Sequence, residues 1–529
     1  MAERAKVTEK SLPRRLEGCS ALASGAMAAL LAATGAVHAQ SPVPDLYSPT
    51  LTIDTGNPPS FGQGNASGPT ATGRFQQVLR TGNAPPSGAG ETGFVSQSAP
   101  PAQQNGALVP SAVAPSTLEP SAPLASAEPI DDLATPSRAR PRRRRAESED
   151  PYEPLGLRLG SFIVKPAIEL SGGYDTNPEL GSPARGGSVL TVAPELQVRS
   201  DWSRHEFRAD VRGSYTAYPG FKATPSLDRP FLDSKVASRI DVTRRTRIDL
   251  EGRFLLSTEN PNSPNLPANL AELPITTTTG FTAGVAHRFN RFELGVSGSL
   301  SRTVYDKSKL TDGTFVNNDD RNYEQYGVQL RGSYELVPGV KPFVQVNADR
   351  RVYDLSVDAG GVNRDSDGNE ARIGTTFELT GRLVGSGSIG YAERRYRDPS
   401  LRSIDGLVAD GSLTWTATPL TKVTFTAQSR IGETTLTDVS GVLTRDFGVQ
   451  IDHSFRRWLI GTLRFGYGID DYVGSARVDE RYMLAGIVTY KLSRNAQLKG
   501  EVRRNWLNSN VAGASYVDDI FLLGLRLQQ

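Results

Sequence analysis

The sequence predicts an all-β fold: a transmembrane antiparallel up-and-down β-barrel of about 18 strands, with 16 the alternative, preceded by an N-terminal segment without a fixed fold. Three observations carry this reading. From about Leu155 to Gln529, apolar and polar residues alternate in runs of roughly ten to fourteen. A tilted strand needs about 9–11 residues to cross the hydrocarbon layer, whereas strands of soluble sandwiches average about 5–6. The runs are joined alternately by very short turns and by longer polar loops. Finally, the chain opens like an exported protein.

Residues 1–39 have the layout of a secretory signal peptide. Arg4, Lys6, Lys10, Arg14 and Arg15 form a basic region, and a small, apolar stretch follows from about Ala21 to Ala36. Val37 and Ala39 then stand at the −3 and −1 positions of a cleavage site between Ala39 and Gln40. The single cysteine, Cys19, lies inside this leader, so disulfide frameworks and cysteine-based zinc sites are excluded.

Residues 40–155 are dominated by Pro, Ser, Ala, Gly, Thr and Gln and show no hydrophobic period. Such a chain cannot bury enough apolar surface to offset the entropy of ordering. It is expected to lie in the periplasm. Its basic run, Arg138, Arg140 and Arg142 to Arg145, would face anionic envelope surfaces or solvent.

Residues 156–529 are the barrel. Eighteen runs begin near Phe162, Val189, Glu206, Asp233, Arg247, Thr278, Phe292, Tyr323, Val340, Glu370, Leu383, Ile404, Leu420, Leu443, Trp458, Glu480, Ala496 and Val517. In one of them Tyr326, Val328, Leu330, Gly332 and Tyr334 fall on one face, and Gln325, Gln329, Arg331, Ser333 and Glu335 on the other. Successive strand side chains point to opposite faces, so one face meets lipid and the other a wet lumen. Closure removes the unpaired edges that lipid does not tolerate.

The short turns, 201–204, 244–247, 289–292, 337–340, 418–421, 455–458 and 493–496, all follow even-numbered strands and therefore share one end. By the usual pattern they are periplasmic, and the longer connections are extracellular: Glu259 to Pro274, Lys307 to Asp320, Asp358 to Asn369 and Asn508 to Ser515. Aromatics fall in two bands. Trp202, Phe289, Phe292, Trp415, Phe455 and Trp458 mark the short-turn end; Tyr174, Tyr215, Tyr305, Tyr353, Tyr391, Tyr467 and Trp506 mark the loop end.

The stretch Glu149-Asp150-Pro151-Tyr152, with Pro154-Leu155-Gly156, Gly160-Ser161-Phe162, Pro166 and Gly173-Tyr174-Asp175-Thr176-Asn177-Pro178, resembles the start of the outer-membrane proteins classed as putative β-barrel porins of Gram-negative bacteria. The resemblance implies a bacterial outer-membrane location and a porin-like activity. It also implies a link, in some members, to exopolysaccharide genes, and no catalytic residues. The expected function is passive diffusion of small hydrophilic solutes. The alternative is a non-conducting or gated envelope component associated with exopolysaccharide export or surface anchoring. Expected partners are outer-membrane lipids and lipopolysaccharide, the barrel assembly machinery, solutes or polysaccharide, and further copies of the chain.

The remaining composition narrows the chemistry. Fifty-nine basic residues against 57 acidic ones give +2, which provides no signal for nucleic acid. There are four histidines, and His205, His287 and His453 have no serine or aspartate partner on the matching face, so no enzyme site and no cofactor are expected. Asp365 to Glu370 lacks the ligand spacing of a calcium loop and reads as a charged hairpin loop. The lumen is where function should lie. Its candidate lining residues are Arg208, Asp210, Arg212, Arg247, Asp249, Glu251, Arg253, Arg331, Glu335, Asp349, Arg351 and Arg464. Most of these charges should pair and hold the wall, and the rest would set ion selectivity.

Overall fold

The computed structural model describes residues 151–379, 382–434, 436 and 438–529. The leader, the Ala39/Gln40 cleavage site and the basic run before Glu147 lie outside the described residues. Eighteen long strands form the wall. They are β1 (Phe162–Asp175), β2 (Gly187–Ser200), β3 (Glu206–Ala217), β4 (Arg229–Asp241), β5 (Thr246–Thr258), β6 (Ile275–Phe289), β7 (Phe292–Tyr305), β8 (Tyr323–Tyr334) and β9 (Val340–Tyr353). They continue with β10 (Ser366–Leu379), β11 (Leu383–Tyr396), β12 (Ile404–Thr418), β13 (Thr421–Gly432), β14 (Gly441–Arg456), β15 (Leu459–Val473), β16 (Val478–Lys491), β17 (Ala496–Ser509) and β18 (Tyr516–Gln528).

Each strand pairs antiparallel with its sequence neighbours, and β1 pairs with β18 from Ala167↔Gln528 to Asp175↔Ile520, which closes the sheet. The ladder satisfies the backbone groups that face lipid. At the seam the Gln529 amide also donates to Pro166 O at 3.0 Å. A short strand, Leu157–Leu159, folds back on the start of β1. This strand and the chain before it are tied to the short-turn end: Arg158 pairs with Asp201 at 3.0 Å, and Arg494 Nε donates to Pro151 O at 2.8 Å.

The alternation is visible in burial. Along β8, Tyr326, Val328 and Leu330 are exposed on the outer face while Gln329 and Arg331 are buried on the inner one. Phe162, Glu206, Phe292, Tyr323, Val340, Leu383, Ile404 and Ala496 begin their strands as the pattern has them, and the other strands begin up to four residues away. The largest shifts put charged residues inside strands. β10 starts at Ser366, so most of the segment read as a hairpin loop, Ser366 to Glu370, is wall.

An eighth short turn, between Leu379 and Leu383, joins the seven named from sequence. Chemistry explains the turns. Thr243 Oγ1 accepts the Arg245 and Thr246 amides at 3.1 and 2.9 Å, and Ser493 Oγ accepts those of Asn495 and Ala496, each at 3.1 Å. Gly339 turns the β8–β9 connection at φ +84°, where a Cβ would lie 2.6 Å from Glu378 O.

The outer aromatic bands are partly as expected. Phe289, Phe292, Trp415, Phe455 and Trp458 are exposed at the short-turn end, and Tyr174, Tyr215 and Tyr391 at the loop end. Tyr305 and Tyr353 instead point inward and are buried with Tyr323.

Candidate functional site: the lumen wall and its loop-end constriction

The inner face carries a dense ionic lattice with two recurrent geometries. The first joins residues two apart on one strand: Arg208–Asp210 at 2.6 Å, Arg239–Asp241 at 2.8 Å and Arg247–Asp249 at 3.1 Å; Arg477, just before β16, reaches Asp479 in the same way at 2.9 Å. Same-face neighbours along a strand are about 6.8 Å apart, within reach of a bent arginine. The second skips a strand. Arg247 on β5 reaches Glu293 on β7 at 2.8 Å, Arg372 on β10 reaches Asp410 on β12 at 3.5 Å, and Lys499 on β17 reaches Glu169 on β1 at 2.7 Å. Arg394 on β11 likewise pairs with Asp349 on β9. Strands two apart are separated by about 9.5 Å along the sheet, and the concave inner face brings their side-chain ends closer.

The candidate residues are placed as follows. Arg208, Asp210 and Arg212 share the inner face of β3, with Arg212 3.9 Å from Glu195. Arg247, Asp249, Glu251 and Arg253 line β5; Glu251 pairs with Lys235 at 3.1 Å and Arg253 with Asp233 at 3.4 Å. Arg331 donates to Gln345 at 3.1 Å and lies 3.4 Å from the centre of the Phe343 ring, a close cation–π contact. Asp349 accepts from Gln325 at 3.1 Å, and Arg464 donates to Gln450 at 3.1 Å. Glu335 differs: it follows the last residue of β8 and sits in the short turn, its amide donating to Arg291 O at 2.8 Å.

Other inner-face groups complete the lattice. Arg481 bridges Asp446 at 2.8 Å and Asp470 at 2.7 Å, and Arg430 adds to Asp446 at 3.3 Å. Arg526 is 1% exposed and joins Glu195 to Glu169 across the seam. The alternation points to Asp446, on the face of Asp452, and to Arg526, between Leu525 and Leu527.

The loop end is narrowed by inward-folded chain. Arg351 pairs with Glu433 and donates to Ile431 O at 3.2 Å. Glu433 follows β13, four strands from β9, so this contact cuts across the lumen as a chord. A second chord runs from Arg364, after β9, to Val439 O at 3.3 Å. Around the first stand Tyr323 and Tyr353, with rings 5.3 Å apart, and Arg321, 4.2 Å from the Tyr305 ring centre. Arg321 also pairs with Glu259 at 2.9 Å.

Glu259 opens the β5–β6 connection, whose Ser263, Asn265, Leu270 and Leu273 are buried. Its Asn262 donates to Ala514 O at 3.5 Å in the β17–β18 connection, past two intervening loops. Neighbouring loops are also tied together. Asp398 accepts from the Ser400 hydroxyl at 2.7 Å and from the Asn363 amide at 3.1 Å, and these bonds hold its carboxyl below the usual carboxylate range. Glu433 and Arg321 had no sequence signal, because they lie in loops outside any period.

The three described histidines all sit near the short-turn end. The Nδ1 atoms of His287 and His453 are 2.8 and 2.9 Å from Thr246 and Thr421 hydroxyls, and His205 Nδ1 accepts the Asp241 amide at 3.2 Å.

Solved structures provide comparisons for this fold. The outer membrane protein opdK from Pseudomonas aeruginosa is 11% identical, with 69% of this chain and 99% of that one covered at a TM-score of 0.35. A BenF-like porin from Pseudomonas fluorescens Pf-5 is 12% identical, with 70% and 100% covered at a TM-score of 0.37. OccK2 (OpdF) of Pseudomonas aeruginosa is 11% identical, with 70% and 98% covered at a TM-score of 0.37. No curated protein matches the sequence. The family described as putative beta-barrel porin 2 matches residues 150–529, the whole of the strand-forming region, and the chain belongs to that family of outer-membrane barrels.

Proposed function

We propose that the protein carries small hydrophilic solutes passively across the bacterial outer membrane through its lumen, with the loop-end chords setting the size limit. The observation that carries this is the inner wall itself. Its buried side chains are mostly polar or charged and carry both signs of charge, with small apolar clusters such as Val189, Ile520 and Leu522 towards the loop end. Its fixed arginine and carboxylate groups offer hydrogen bonds to water and solute, and they favour neither anions nor cations strongly. Among the candidate lining residues on the inner face, Arg208, Asp210, Arg212, Glu251, Arg253 and Asp349 are half-buried, and these are the ones expected to tune selectivity, Arg208 and Arg212 as two cations on one strand being the simplest to test. Buried pairs such as Arg247–Asp249 hold the wall.

The rest of the chain fits export. The leader is removed between Ala39 and Gln40, and residues 40–155 remain in the periplasm. N-terminal sequencing of the outer-membrane form should begin at Gln40; a form beginning at Met1 would overturn this.

The channel reading is tested by ion selectivity in planar bilayers. Reversing Arg208 and Arg212 to glutamate should move the reversal potential towards cation preference and leave the conductance steps in place. An unchanged reversal potential in a conducting variant would remove these residues from the ion path.

A further inference from the structure

The outer face carries a feature that transport does not use. Between Phe292 on β7 and Ile389 on β11 lies a shallow apolar groove of ≈ 790 Å³, within the usual range for ligand pockets. Its origin is legible in the register. Pro342, Thr375 and Gly387 stand side by side across β9, β10 and β11 and form a floor of short side chains. Phe292 and Tyr334 close the same row on β7 and β8, Phe377 rises on the short-turn side, and Val344, Ile373 and Ile389 stand on the mid-membrane side. Gly332 and Gly387 deepen it; a Cβ on Gly387 would meet nothing within 4 Å.

Charge at the adjacent rim is one-sided. The described short-turn connections carry Arg204, Arg244, Arg245, Arg291, Arg382, Arg457 and Arg494 against only Asp201 and Glu335. Arg291 and Arg382 are exposed in the turns that begin β7 and β11, the two edges of the groove. The loop connections have the opposite balance, with fourteen carboxylates against nine basic side chains.

We propose that this groove holds an acyl chain of an anionic phospholipid whose headgroup phosphate rests against Arg291 or Arg382. Barrel strands tilt by about 35–45°, so a row running across them is inclined to the membrane plane and can take a chain descending from its headgroup. Each arginine near a membrane surface favours an anionic lipid by about five-fold. The proposal rests on the outer-membrane reading with the short turns towards the periplasm, where the facing leaflet is phospholipid.

The test uses the full chain purified in mild detergent and exposed to equal phosphatidylglycerol and phosphatidylcholine, with bound lipid read by native mass spectrometry. The wild type should retain phosphatidylglycerol about five-fold or more over phosphatidylcholine. Gly387→Leu fills the groove and should abolish retention. Gly486→Leu, an exposed outer-face glycine on β16 with equally open space, should not. Arg291→Gln with Arg382→Gln should erase the preference between lipids while leaving the barrel folded. Equal retention in the two leucine variants, or no preference in the wild type, overturns the proposal. A wild-type dimer that Gly387→Leu dissolves at unchanged lipid content would assign the groove to a second copy and also overturn it. Absence of conductance would sink the transport reading without changing lipid retention, so the two fail separately.

Discussion

Arg526 shows what the lattice demands of single residues. It is fully enclosed and faces two carboxylates, Glu169 and Glu195, at the closing seam. Removing a buried cation leaves its partners charged and desolvated, a cost of about 3–5 kcal/mol. Arg526→Met should therefore lower stability by about that amount, read from urea unfolding of the refolded barrel on heat-modifiability gels. Arg208→Met should cost about 1 kcal/mol or less, because Arg208 and its partner Asp210 remain partly in water. Equal losses at the two positions would mean that burial does not set the energetics of this wall. Arg351 is a different case. Reversing its charge would set a new carboxylate against Glu433 across the lumen, so Arg351→Glu should disturb the loop end as well as selectivity.

At the scale of the strand, the outer face answers to lipid. Val346 is 48% exposed near the middle of β9, where the bilayer is least polar. Val346→Arg should destabilise the inserted barrel by about 2–4 kcal/mol, measured as a loss of folded protein recovered from the outer membrane. Normal recovery would contradict the assignment of faces. That assignment was legible in the sequence, because a two-residue period leaves only two choices of face and a charged residue such as Arg331 decides between them. Strand ends were less legible. β10 begins among Ser366, Asp367, Gly368 and Asn369, residue types that ordinarily mark loops, and here they pair with β9 and β11. Tyr305 and Tyr353 were misplaced for a related reason. Position near a strand end suggested a girdle, but the alternation running down from Glu293 through Ser297 and Ser301 puts Tyr305 on the inner face.

For the molecule as a whole, strand number and closure followed from pattern, whereas the loop-end constriction did not. The ionic pairs that skip a strand depend on wall curvature, and the chords from Arg351 and Arg364 depend on loops folding inward. Neither property has a period to read. The β5–β6 connection contributes to the constriction with buried residues and with contacts from Glu259 to Arg321 and from Asn262 to the Ala514 carbonyl. Replacing residues 260–273 by a short glycine–serine turn should raise single-channel conductance while leaving the barrel assembled. Conductance equal to that of the full chain would place the narrowest point elsewhere.

The account depends most on an aqueous path running through the lattice. The direct measurement is single-channel current of the full exported chain, refolded and shown to be heat-modifiable, in a planar bilayer. Stable ohmic steps with weak ion preference are the predicted result, given the mixed charge of the wall. A folded barrel that stays silent at all voltages would contradict it and would make the ionic lattice and the loop-end chords a plug rather than a passage.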